Sequence, residues 1–98
     1  MTRLGNEKWR ILYHTTVVKR DIKLLDKKTA EKIKTAIENK LATNPILYGV
    51  PLRGVLKRYF KLRVGDWRVI YSLSGNDVLI LIIGNRKDVY SIAKNRLG

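Results

Sequence analysis

The sequence predicts an α+β fold, a two-helix hairpin packed on a small antiparallel-rich sheet, and three observations carry that reading. Tyr59 to Tyr71 (YFKLRVGDWRVIY) alternates apolar and polar residues on either side of Gly65-Asp66, the pattern of two strands joined by a two-residue turn. From Thr16 to Ala42 the apolar residues recur instead at helical intervals. Val78 to Ile83 (VLILII) is an unbroken apolar run, as in a strand covered on both faces and lying in the middle of a sheet.

The elements follow in order. After a polar leader, Trp9 to Thr15 (WRILYHT) mixes β-branched, aromatic and polar residues and reads as an edge strand. Thr16 is placed to cap a short helix over Val17 to Leu25, with apolar residues at 17, 18, 22 and 25. Asp26 or Thr29 caps the next helix, Lys28 to Ala42, whose stripe is Ala30, Ile33, Ala36, Ile37 and Leu41. Asn44-Pro45 ends it, because the residue before proline is pushed out of the helical region, and Pro45 to Gly54 reads as a loop. After the hairpin and the apolar strand, Gly84 to Asp88 is a loop. Val89 to Arg96 is a short closing helix with Val89, Ile92 and Ala93 on one side.

Composition narrows the function. Ninety-eight residues at 45% apolar content suit one domain over 1–98 with one modest core. No run approaches the roughly 18 apolar residues of a membrane span, and Met1 to Arg10 lacks the apolar stretch of a signal peptide, so the expectation is a cytoplasmic protein that meets no membrane. With no cysteine and only His14, neither a thiolate nor a histidine-rich metal site can form, and no metal or other cofactor is expected. His14 reads as structural. The net charge of +13, spread along the chain, calls for a polyanionic partner: nucleic acid first, an acidic protein second.

The hairpin sorts its side chains. With Val64 opposite Trp67, Phe60, Leu62, Val64, Trp67, Val69 and Tyr71 share one face, a core; Tyr59, Lys61, Arg63, Arg68, Ile70 and Ser72 share the other. That second face carries three cations with little apolar bulk, which suits either the solvated side of a sheet or a surface that holds a phosphodiester. Attack of a ribose 2′-hydroxyl on the adjacent phosphorus requires a base, an acid and cations for the developing charge. Lysine, arginine and tyrosine supply all three. Arg86 and Lys87 lie in the loop after the apolar strand and Tyr90 four residues beyond Arg86; if that strand pairs beside Trp67 to Ser72, they come near the face that carries Lys61, Arg63 and Arg68. Each also has an ordinary structural reading: a charged loop for Arg86 and Lys87, a packed helix residue for Tyr90. Tyr59, an aromatic on the polar face, is placed to stack on a base.

LRG at 52–54, YFKLRVGDWRVIY at 59–71, the apolar strand and GNRKDVY at 84–90 together resemble the RelE/ParE superfamily of toxin-antitoxin toxins, closest to the RelE branch. The resemblance implies ribosome-dependent cleavage of mRNA in the aminoacyl site, without a metal, and so inhibition of translation. It also implies an acidic RelB-like antitoxin, with operator DNA contacted only through the toxin-antitoxin complex. By position, Lys61 matches a catalytic lysine, Arg68 the arginine after the aromatic of the second hairpin strand, Arg86 the loop arginine and Tyr90 the C-terminal tyrosine. Arg63, Tyr59 and Lys87 become substrate contacts. Tyr59 stands where some members carry a further lysine, and the loop between Arg86 and Tyr90 is shorter than in the best-known member, which leaves Lys61 as base or as charge stabiliser. Two rivals remain: a ParE-like toxin that inhibits DNA gyrase, and a nucleic-acid-binding module without catalysis.

Overall fold

A computed structural model describes residues 9–98; the polar leader before Trp9 lies outside them. Five strands form one sheet in the order β1-β5-β4-β3-β2, where β1 is Arg10–Tyr13, β2 Val50–Pro51, β3 Phe60–Val64, β4 Trp67–Ser74 and β5 Asp77–Asn85. All neighbours are antiparallel except β1 and β5, so the mixed, antiparallel-rich α+β fold is as expected.

The first helical segment begins in wide π-type turns over Val17–Asp21 and tightens to a 3₁₀ turn at Ile22–Leu24. Thr16 does not cap it through its side chain. The Thr16 amide instead donates to His14 Nδ1 at 3.1 Å, which gives His14 its structural role. Asp26 is the cap of the next helix, α1 (Lys27–Ala36), its carboxylate accepting from the Thr29 amide at 2.7 Å. The helix continues in π-type turns over Ile37–Leu41. Its expected stripe faces inward, with Ile33, Ile37 and Leu41 buried.

The stretch expected to be a loop holds structure of its own. Asn44 caps a single helical turn, α2 (Pro45–Tyr48), and β2 then pairs Val50 with Lys61 and Pro51 with Phe60 at the sheet edge. A two-residue strand ending in proline carries too little alternation to be read from sequence. Gly49 is required between them, because a Cβ there would lie 1.6 Å from the Tyr71 hydroxyl. That hydroxyl is buried, its pKa pushed up by burial, and it donates to the Pro45 carbonyl at 2.6 Å, tying the segment to the core.

The hairpin has the expected register, Val64 opposite Trp67 and Arg63 opposite Arg68. Of the two turn residues only Gly65 has positive φ, at +60°, the pattern of type II′ turns. Phe60, Leu62, Val64, Trp67, Val69 and Tyr71 pack in or against the larger core beneath the helices. On the opposite face Ile70 corrects the expectation of an open cationic surface. It is fully buried with Ile82, Leu52, Leu56, Val89 and Ala93 in a second cluster, formed where the closing helix α3 (Val89–Leu97) and a 3₁₀ turn (Gly54–Leu56) cover that side. β5 is interior as expected and covered on both faces, although β4 occupies the centre of the sheet.

α3 is fastened by an ion pair. Asp21, 4% exposed, accepts from Arg96 Nη2 at 2.8 Å, from Arg96 Nη1 at 3.0 Å and from the Ile83 amide at 2.9 Å, joining the first helical segment, β5 and α3 at one carboxylate.

Candidate functional site

β3 and β4 carry the cations, and α3 brings Tyr90 over them. The Lys61 ammonium donates to the Tyr90 hydroxyl at 2.8 Å and lies 5.3 Å from the centre of its ring. Two residues on, about 7 Å along the strand, Arg63 stands directly opposite Arg68. Like charges facing each other across a ladder repel. An anion between them would relieve that repulsion, and so would a phosphate approaching from the open side.

The second group sits at the hairpin tip. Arg68 Nη1 donates to the carbonyls of Gly65 and Trp67, each at 2.9 Å, which folds the guanidinium back along its own turn. The Arg86 amide donates to the Asp66 carbonyl at 2.8 Å and its Nε lies 3.9 Å from Asp66 Oδ1, so the loop after β5 is pinned beside the same turn. Arg68 and Arg86 therefore both anchor at the Gly65 to Trp67 turn, reached from two different strands.

Two expected contacts lie apart from these. Lys87 is exposed, its amide accepted by Asn85 Oδ1 at 2.9 Å in a local turn. Tyr59 is half-buried against the second cluster rather than free on the polar face. Leu56 of that cluster belongs to the 3₁₀ turn Gly54–Leu56, which starts at Gly54, where the loop expected from sequence ends.

Three residues not expected at the site from sequence join it. A groove of about 320 Å³ runs off the edge of β3, lined by Lys40, Tyr48 and Val50 together with Lys61, Arg63 and Arg68. No carboxylate lines it. Among the described residues no group of three or more His, Asp or Glu side chains could hold a metal ion, and no helix is long and apolar enough to cross a membrane.

Chemically, the arrangement offers a hydrogen-bonded lysine–tyrosine pair beside Arg63 and Arg68, cations able to meet an anion, with Arg86 held at the hairpin tip. Solved toxin structures share this architecture. The toxin-antitoxin complex RelBE2 from Mycobacterium tuberculosis is 26% identical over 81% of this chain and 99% of the other, with a TM-score of 0.75. The RelB-RelE complex from Methanococcus jannaschii is 27% identical over 83% of this chain and 96% of the other, at 0.63. A doubly substituted Escherichia coli RelE in the free state is 20% identical over 93% and 99%, at 0.68, and shares the fold. Among curated proteins no relative matches. A family model described as the ParE toxin of a type II toxin-antitoxin system, parDE, matches residues 12–90, which include the whole hairpin, the apolar strand and Tyr90. Because that model spans most of the chain and solved RelE-type toxins share its fold, the chain belongs to this toxin family, within the RelE/ParE superfamily and close to its RelE branch.

Proposed function

We propose that this toxin is an mRNA endoribonuclease that acts on the translating ribosome. The observation that carries the reading is the Lys61–Tyr90 hydrogen bond of 2.8 Å beside the opposed Arg63 and Arg68. A toxin that works only by binding another protein has no need of a proton-transfer pair within reach of paired arginines. In the proposed reaction the ribose 2′-hydroxyl loses its proton, its oxygen bonds to phosphorus and the bond from phosphorus to the 5′-oxygen breaks. A 2′,3′-cyclic phosphate and a 5′-hydroxyl result. One member of the Lys61–Tyr90 pair, having first lost a proton to solvent, takes up the 2′-hydroxyl proton, and the other, still protonated, gives one to the leaving 5′-oxygen. Arg63, Arg68 and Arg86 stabilise the charge that builds on the phosphoryl oxygens.

Lys61→Ala should abolish cleavage and toxicity while ribosome binding persists through the remaining cations. Lys61→Arg keeps the charge but replaces the amine by a guanidinium, which does not serve as a base. Full activity of Lys61→Arg assigns the proton transfer elsewhere, and full activity of Lys61→Ala overturns the site.

The proposed partners are a cognate acidic, RelB-like antitoxin, the ribosome and mRNA, with operator DNA reached only through the toxin-antitoxin complex. The +13 charge favours an acidic partner. An apolar groove of about 350 Å³ between the first helical segment and α1, walled by Val18, Ile22, Leu25, Ile33 and Ile37, suits an amphipathic antitoxin helix.

A second reading has its own support, since the matching family model is described by ParE. A ParE-like toxin would inhibit DNA gyrase. Supercoiling by purified gyrase and mRNA cleavage on programmed ribosomes, each measured with this protein, separate the two.

A further inference from the structure

We propose that Tyr48 and Lys40 form a nucleotide subsite, holding the base and phosphate of the residue next to the scissile bond of a single-stranded RNA. The inference rests on the nuclease reading and extends it beyond the hairpin.

The groove brings Tyr48 to the cations. Val50 lies opposite Lys61 across the β2–β3 ladder, so the two share a face of the sheet. Tyr48, at the end of α2 two residues before Val50, lines the same groove as Arg63. Gly49, between them, points the other way and meets Tyr71 beneath the sheet. Tyr48, Val50, Lys61, Arg63 and Arg68 accordingly line one groove.

The side chains there fit a nucleotide. Tyr48 is 45% exposed although aromatic, and Lys40 Nζ lies 5.9 Å from its ring centre, within cation–π range. Stacking on an exposed aromatic beside cations that track a backbone is how single strands are held without sequence readout. Four cations and no carboxylate line the groove, which disfavours an apolar or cationic occupant. The backbone that presents Tyr48 is held firmly: Asn44 Oδ1 accepts from the Leu47 amide at 3.0 Å, and Tyr71 donates to Pro45 at 2.6 Å. A preset aromatic costs little to order on binding.

The test is single-turnover cleavage on ribosomes programmed with mRNAs that carry an abasic residue on either side of the scissile phosphate. Tyr48→Ala should raise the half-saturating ribosome concentration about tenfold, within the contribution of one base–aromatic stack, and leave the maximal rate nearly unchanged. Tyr48→Trp should restore it. One of the two abasic mRNAs should cost the unsubstituted protein a similar factor and cost Tyr48→Ala nothing further, because the stack is already lost. Lys40→Gln should lower the salt dependence of binding by about one phosphate contact. Equal abasic penalties with and without Tyr48 overturn the subsite while leaving the nuclease reading intact. Absence of any cleavage by the unsubstituted protein overturns both.

Discussion

Asp21→Ala should be among the most damaging single substitutions in this chain, and the structure sets its scale. The carboxylate is 4% exposed and accepts three hydrogen bonds, two from Arg96 and one from the Ile83 amide. Alanine removes all of them. It leaves the Ile83 N–H without its partner, which costs about 1–3 kcal/mol. It also strands a guanidinium whose side chain is 22% exposed. Breaking a buried pair by deleting one partner costs about 3–5 kcal/mol, and partial access of Arg96 to water argues for the lower end, so about 3 kcal/mol is expected. In a domain of this size each kcal/mol moves the melting temperature by about 4–8 °C, which puts the loss at about 12–24 °C. Thermal melts and urea titrations of Asp21→Ala, Arg96→Ala and the double variant measure it. Removing Arg96 after Asp21 should cost almost nothing more, since the two act as one unit. A loss below about 1 kcal/mol for Asp21→Ala, or additive losses in the double variant, would refute the reasoning.

Three further outcomes follow from the same structure. Tyr71→Phe should cost about 1 kcal/mol in urea titration by removing the buried hydrogen bond from its hydroxyl to the Pro45 carbonyl, and Gly49→Ala should cost more, because its Cβ would collide with the Tyr71 hydroxyl. Arg68→Ala and Arg86→Ala should each slow mRNA cleavage by about 10²-fold or more, while melting temperatures stay close to the parent, since the Arg86–Asp66 contact is solvent-exposed. Stability should fall on acidification. The Thr29 amide holds the Asp26 carboxyl below its ordinary value and the Arg10 guanidinium does the same for Asp77, so both contribute fully above about pH 4 and lose that contribution as pH drops through their lowered values. Urea midpoints followed downward from about pH 6 should decline less steeply in Asp26→Asn/Asp77→Asn.

What the sequence made legible was local. Gly65-Asp66 between alternating residues dictates the register of β3 and β4, and the register alone brings Lys61, Arg63 and Arg68 to one face. Asp26 or Thr29 before a helical stripe bracketed the α1 cap, which is Asp26, and an unbroken VLILII run identified the doubly covered strand. The rest depended on partners far along the chain. Ile70 looked like an apolar exception on a polar face until α3 and the 3₁₀ turn closed over it. Asp21 and Arg96 are 75 residues apart and nothing in either segment announces the other. Tyr48 looked like loop because the two-residue strand that follows it is too short to show a period; the signal that could have found it is Gly49, a small residue that lets the chain press against the hairpin.

The brevity of β2 bears on whether two copies could pair edge to edge. A sheet with a long bare margin invites another sheet to zip onto it. Here one margin is β1, four residues long with Arg10 at its start, and the other is β2, two residues long and closed by Pro51, which has no N–H to offer. Past β2 the rim of β3 is open only from Leu62 to Val64, and Arg63 stands in the middle of it. Two molecules meeting rim to rim would press arginine toward arginine, so the cation we assign to phosphate contact also disfavours pairing of the uncovered strand with another copy.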